Sequence, residues 1–249
     1  MLLLEKNTIE VETPEIKKEM LSISPSIKAK FTKIYLSESK SSWITIEWLS
    51  DGLIHYSSQY YQTLFDIHPS ERGKIVMFNN EEFISPRWHR SYLHQPVREP
   101  NQQRSYMYSG LEKFENLELP VPFQKFLNFL NDKGEISKYN QVIVNWYANG
   151  KDYIAAHSDC QNGIVPDTGI TIITLCEDQR FPRELNITPK KLKNEVNDNL
   201  YSGVTIKLQH GCIITMHGET QNYFRHGVLK SLDNLTSRIS LTFRKFHQQ

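Results

Sequence analysis

Gln141-Val-Ile-Val-Asn-Trp-Tyr147, followed after a polar turn by Ile154-Ala-Ala-His-Ser-Asp159, decides how the rest of the chain is read. Its first half has the β-branched and aromatic content of a buried strand. Side chains alternate along a strand, so Ile143, Asn145 and Tyr147 share one face and Val142, Val144 and Trp146 the other. An amide and a phenol on an otherwise apolar strand need partners once buried. His157 and Asp159 are two apart, so an imidazole nitrogen and a carboxylate oxygen project to the same side and can meet one ion.

A third ligand from elsewhere would complete two histidines and one carboxylate on one face of a metal, the arrangement typical of non-haem Fe(II) oxygenases. The pair itself is weak evidence. With 9 His and 28 acidic residues in 249, roughly one His-x-acid match arises by chance. The chain holds a second one, His217-Gly-Glu219. Position separates them: the first follows the buried strand, while the second lies at a hairpin end inside the turn-like Gly-Glu-Thr-Gln-Asn segment. We set the second aside.

An independent signal lies near the C-terminus. Arg238-Ile-Ser-Leu-Thr-Phe-Arg244 alternates strictly, with Arg238, Ser240, Thr242 and Arg244 on one face and Ile239, Leu241 and Phe243 on the other. The plain reading is an edge strand with its polar face in water. The geometry also suits a longer purpose. Six strand residues span ~20 Å, about two arginine side chains plus an extended five-carbon diacid. Two guanidinium groups could grip both ends of such a molecule, with Thr242 between them.

Asn145-x-Tyr147, His157-x-Asp159, His226 and Arg238-x-Ser-x-Thr-x-Arg244 together resemble the AlkB-like family of Fe(II)/2-oxoglutarate-dependent dioxygenases. The likeness covers about the last hundred residues well, with a fainter echo over Pro86–Gly110. It implies a mainly β (α+β) fold, a double-stranded β-helix or jelly roll with N-terminal helices and a substrate lid. It implies that His157, Asp159 and His226 are the catalytic iron ligands. Asn145, Tyr147, Arg238, Thr242 and Arg244 would hold 2-oxoglutarate, with Arg238 at the carboxylate far from the metal. The implied cofactors are Fe(II), 2-oxoglutarate and O2, and the implied reaction is oxidative demethylation or dealkylation of a nucleobase in DNA or RNA. Two departures bear on the substrate: Cys160 stands where base-reading members often carry an acid, and Ala156 where an aromatic often precedes the histidine.

Length and composition fit this. At 249 residues the chain accommodates one large β domain with additions, or at most two small domains. We expect residues 1–40 to be an extension docked on the core by a short helix or strand, 41–249 the oxygenase domain, and 140–249 its catalytic barrel. No apolar run approaches membrane-spanning length, and Met1-Leu-Leu-Leu is cut short by Glu5, so the expectation is an intracellular monomer of cytoplasm or nucleus. Cys160, Cys176 and Cys212 form no close pair, which argues for a reducing compartment and against a zinc site. The net charge of +1 is uninformative by itself, since a dedicated duplex-binding protein normally carries a clear basic excess.

Any nucleic-acid contact must then be local. Residues 84–110 set Arg87, Arg90, Arg98 and Arg104 against Glu99, interleaved with Trp88, Tyr92, Tyr106 and Tyr108. Cations that track phosphates, mixed with flat rings that stack on bases, suit a flipped or single-stranded nucleotide. A solvated loop anchored by its aromatics is the bland alternative. The family often shows a Tyr-x-Tyr-Ser-Gly run here, which Tyr106-Met-Tyr-Ser-Gly110 resembles, so Arg87, Tyr106, Tyr108 and Cys160 become candidate substrate contacts.

Elsewhere the pattern is structural. Trp43–Trp48 and Gly169–Leu175 read as strands, and Ser57–Asp66 as a short helix with core-facing Tyr56, Tyr60, Tyr61 and Phe65. Pro120–Asp132 is the clearest helix, with Phe123, Phe126, Leu127 and Leu130 on one stripe. Glu177–Ser202 reads as a solvated polar loop, and Val204–Leu208 with Cys212–Met216 as a hairpin about His210-Gly211. Two competing readings stay open: a protein or small-molecule hydroxylase on the same scaffold, and a jelly-roll binding module without metal chemistry.

Overall fold

The computed structural model describes residues 8–11, 20–26, 30–76, 82–93, 107–108, 111–112, 117–133, 139–190 and 203–247. Two sheets face each other. The larger runs, edge to edge, β1 (Thr8–Val11), β3 (Phe31–Tyr35), β4 (Ser42–Trp48), β15 (Cys212–Gly218), β12 (Ile170–Cys176), β17 (Arg238–Arg244), β10 (Gln141–Tyr147) and β7 (Trp88–Leu93). The smaller runs β11 (Ile154–His157), β16 (Phe224–Val228), β13 (Arg183–Pro189), β14 (Val204–Leu208) and β2 (Leu21–Ile23). Short ribbons pair β5 (Lys74–Val76) with β6 (Glu82–Ile84) and β8 (Met107–Tyr108) with β9 (Leu111–Glu112). The helices are α1 (Asp51–Gln59), α2 (Tyr61–Phe65), α3 (Val121–Asp132) and α4 (Thr220–Tyr223).

From β10 onward the chain crosses between the sheets at every step except β13 to β14, which pair as antiparallel neighbours. That alternation makes a double-stranded β-helix, the jelly roll expected from the sequence. The strands expected to form a hairpin about His210-Gly211 instead fall in opposite sheets. The reason is packing. Val204, Ile206 and Leu208 meet Cys212, Ile214 and Met216 in one buried cluster between the sheets, face to face and not side by side. Gly211 makes the crossing at φ +80, where a side chain would be strained and would press on Ile54.

A second cluster covers the outer face of the larger sheet. Val142, Val144, Trp146, Ile239, Leu241 and Phe243 point outward there, under Phe123, Phe126, Leu127 and Leu130 of α3. The outward residues of β10 and β17 therefore pack against helices, and their inward residues line the barrel. β17 is consequently central and not an edge strand, lying between β12 and β10 with all seven residues buried. Truncating Phe126, which has no exposed surface, would cost about 3–5 kcal/mol.

Two expectations change in detail, and a third takes a definite form. Part of the polar stretch expected to be a solvated loop is β13, whose Arg183, Leu185 and Ile187 are buried. Tyr60 is exposed and not core-facing, while Tyr61 is buried. The N-terminal region contributes strands: β1 runs parallel to β3, and β2 parallel to β14. No described helix is long and apolar enough to cross a membrane.

Candidate metal centre

Register brings the three candidate ligands together. β11 pairs with β16 so that His157 lies opposite His226, with ring centroids 4.4 Å apart. Asp159, beyond the end of β11, places Oδ1 3.8 Å from His157 Nε2 and Oδ2 3.8 Å from His226 Nε2. One ligand atom from each of the three lies within 4.8 Å of the others. His157 donates its Nδ1 proton to the Ala155 carbonyl at 2.9 Å, which leaves the Nε2 lone pair facing the cluster.

The electrostatics suit a cation. Burial pushes His226 down to about 3, with the neighbouring His157 adding to the effect. Burial also lowers His157, although Asp159 opposes it. Both rings are thus neutral near pH 7 and able to donate lone pairs. Burial alone would raise Asp159, but Arg244, whose Nη2 donates to Oδ1 at 2.6 Å, and the two imidazoles hold it below the usual carboxylate range. Asp159 Oδ2 is buried and has no hydrogen-bond partner among the described residues. A buried carboxylate with one oxygen bare, set beside two neutral imidazoles, fits a divalent metal, which would satisfy all three donors at once.

The same cavity continues along β17. It has a volume of ≈ 500 Å³, counting space continuous with solvent, and includes Asn145, Tyr147, Arg238, Ser240, Thr242 and Arg244 with an apolar wall. Arg238 lies 5.0 Å from the centre of the Tyr147 ring and donates Nη2 to Thr174 Oγ1 at 3.1 Å. Its Nε and Nη1 are buried without a hydrogen-bond partner among the described residues. A buried guanidinium in that state fits an anionic ligand. Arg238 stands six residues along the strand from Arg244 and lines the same cavity. The diacid clamp inferred from spacing is therefore asymmetric: Arg244 already carries the Asp159 carboxylate, while Arg238 faces the cavity.

The remaining candidates divide. Asn145 is buried and accepts from Arg87 Nε at 2.8 Å. Arg87 itself is buried, 2% exposed, so it stands beside Asn145, near enough to His157 to act on it electrostatically, and not on an open surface. Cys160 is exposed. Tyr106, Arg98 and Arg104 lie outside the described residues, and of Tyr108 only the strand is described.

Two buried residues emerge that sequence reasoning did not single out. Arg183 donates to the carbonyls of Asn149, Asp152 and Leu229, stapling the loops after β10 and β16 behind Arg238. Alternation in Arg183-Glu-Leu185-Asn-Ile187 was the available signal. Gln221 accepts the Asp159 backbone N–H at 2.9 Å. Nothing in its sequence context marks it.

A jelly roll with two histidines and a carboxylate converging inside one end defines a mononuclear metal-centre protein of the facial-triad type. The model of the 2OG-Fe(II) oxygenase superfamily matches residues 47–244, which includes every one of these residues. The chain belongs to that superfamily, whose members are oxidoreductases that take Fe(II), 2-oxoglutarate and O2. Its similarity to AlkB-like members is direct. Mouse DNA oxidative demethylase ALKBH2 is 29% identical over 153 residues, 59% of this chain and 62% of that protein. Human alpha-ketoglutarate-dependent dioxygenase alkB homolog 3 is 32% identical over 107 residues, 43% of this chain and 36% of that protein. The alignments thus span less than two-thirds of these relatives' length. Among solved structures, an oxidoreductase of the 2OG-Fe(II) oxygenase family from Burkholderia pseudomallei matches with a TM-score of 0.47 and 13% identity, over 82% of this chain and 86% of that one.

Proposed function

We propose that this chain oxidatively demethylates or dealkylates alkylated nucleobases in DNA or RNA. The observation that carries the reading is the triad His157, Asp159 and His226, with Asp159 Oδ2 bare, at one end of a cavity that has a waiting guanidinium at the other. The similarity to proteins named as DNA oxidative demethylases supplies the substrate class.

In this reading His157, Asp159 and His226 hold Fe(II), and Arg238, with Asn145, Tyr147, Thr242 and Arg244, holds 2-oxoglutarate. Iron with 2-oxoglutarate and dioxygen supplies a two-electron oxidation that hydroxylates a C–H bond, with 2-oxoglutarate leaving as succinate and carbon dioxide. The protein's work is placement. Arg238, held by its bond to Thr174, fixes the far carboxylate, and Tyr147 stacks against the guanidinium that receives it. Ile143, Ile154, Ile172, Leu185, Leu208 and Val228 keep the cavity wall apolar and exclude water. An N-methyl carbon hydroxylated there becomes a hemiaminal, which breaks its C–N bond and releases formaldehyde and the free base. In the same reading residues 41–249 are the oxygenase domain and 140–249 its catalytic barrel, while Tyr106 lies outside the described residues.

Two features favour a different substrate, a protein side chain or a small molecule, on the same machinery. Cys160 takes the place of an acid, and Arg87 is committed to Asn145, so two candidate base contacts are weaker than the resemblance implied. Incubation with oligonucleotides bearing N1-methyladenine or N3-methylcytosine tests the choice. The proposal predicts formaldehyde release that requires both Fe(II) and 2-oxoglutarate. Succinate formation without any loss of the base methyl group would reject a nucleobase substrate.

A further inference from the structure

β11 ends at His157, so Ser158 and Asp159 leave the sheet with no strand ladder to hold them. The carboxylate of the triad is therefore placed by something other than sheet register. Ser158 Oγ donates to the Phe224 carbonyl at 2.7 Å, and the Asp159 N–H donates to Gln221 Oε1 at 2.9 Å. Both acceptors belong to one short stretch, α4 and the first residue of β16. That stretch runs directly into His226, the other buried member of the triad.

Gln221 is itself buried, 6% exposed. Its two amide atoms have unequal partners. Oε1 takes the Asp159 N–H, whereas among the described residues Nε2 faces only the thioether of Met216 at 3.3 Å, a weak acceptor. Turning the amide over would set an N–H against an N–H, so the network fixes its orientation. A buried amide whose donor half gains so little is a poor choice for packing alone, since an apolar residue of similar size would fill the space without an under-used donor.

We propose that Gln221 is the positioning residue for the metal-binding carboxylate. It holds the Asp159 backbone so that the carboxylate faces the two imidazoles, Oδ1 toward His157 and Oδ2 toward His226, and it links that setting to His226 through α4. Without it, Arg244 is the remaining side-chain hold on Asp159 among the described residues, and that hold engages Oδ1, not the oxygen left bare for the metal. The inference rests on the metal-centre reading above.

The test uses the full chain and Co(II) as the probe, titrated by its visible absorption, beside urea denaturation of the metal-free protein. Gln221→Leu keeps the volume and removes the acceptor; Gln221→Glu keeps an acceptor oxygen. Gln221→Leu is expected to bind Co(II) about 10–100-fold more weakly, the range for losing a group that orients a ligand, with little change in the urea midpoint. Gln221→Glu is expected to stay within about threefold of wild type. Should Gln221→Leu fail to fold, Gln221→Asn, which withdraws the oxygen by one methylene, takes its place with the same expected loss. Affinity within about twofold of wild type in the Leu or Asn variant would overturn the proposal, as would a Glu variant as weak as either. A wild-type chain that takes up no Co(II) would instead bring down the metal centre itself.

Discussion

The chain contains the pattern His-x-acid twice, and the two copies have opposite fates. His157 and Asp159 converge with His226 around a bare carboxylate oxygen, with Arg244 as a buried counter-charge. His217 stacks flat on Trp43 at 5.4 Å and bonds Thr45 Oγ1 at 3.0 Å, while Glu219 turns away to the exposed Asn222 amide at 2.6 Å. Two residues of spacing make both pairs possible ligands. What separates them is whether a third donor arrives from a paired strand and whether a cation compensates the buried acid.

The comparison can be broken most forcefully at Arg244. Replacing it with Leu leaves Asp159 buried without its guanidinium, and urea denaturation should record a loss of about 3–5 kcal/mol in the metal-free protein. Removing the Asn222 amide from Glu219 should change stability by less than about 0.5 kcal/mol, as for other exposed contacts. Comparable losses would mean that burial does not distinguish the pairs.

Metal affinity is the next contrast. His226→Ala should weaken Mn(II) binding, followed by electron paramagnetic resonance, more than about 100-fold, beyond what loss of an orienting group causes. His217→Ala should leave it within about twofold, and an equal loss would return the second pair to consideration.

A third contrast concerns the cavity. Only the first pair shares its space with Arg238, so Arg238→Leu should raise the apparent Kd for 2-oxoglutarate by about 30-fold or more, equivalent to about 2 kcal/mol for truncating one partner of a buried charge contact. Calorimetry with Mn(II)-loaded protein reads this directly, and Mn(II) affinity itself should hold. Loss of both together would place Arg238 at the metal and not at the far carboxylate.

The smallest expected effect is a pH dependence at the second pair. Burial lowers His217 to about 4 from 6.5, with Lys33 lowering it further and Glu47 opposing. Below pH 6.5 the unfolded chain takes up a proton at this ring that the folded chain refuses until about pH 4, so stability falls as pH drops through that window. His217→Gln should flatten that fall by on the order of 1–2 kcal/mol, after allowance for solvent near the ring. An unchanged slope would mean the ring is protonated in the folded state.

Much of this was legible in the sequence because it follows period two. The inward sets Ile143, Asn145, Tyr147 and Arg238, Ser240, Thr242, Arg244, and the outward sets beside them, are as alternation requires. The misread hairpin failed for a physical reason. A short turn between two strands looks the same whether they pair within one sheet or cross between two, and only the facing partners decide. Arg183 was hidden by the charged residues around it, although its own strand alternates. Gln221 acts through the backbone of a residue 62 positions away, a relation that neither periodicity nor motif encodes.

The central claim is that His157, Asp159 and His226 seat one metal ion beside 2-oxoglutarate. Anaerobic titration with Fe(II) in the presence of 2-oxoglutarate tests it most directly. The weak visible charge-transfer band should grow to saturation at one iron per chain and be absent from the His157→Ala protein. No band in the wild type, or an undiminished band in His157→Ala, would contradict the account.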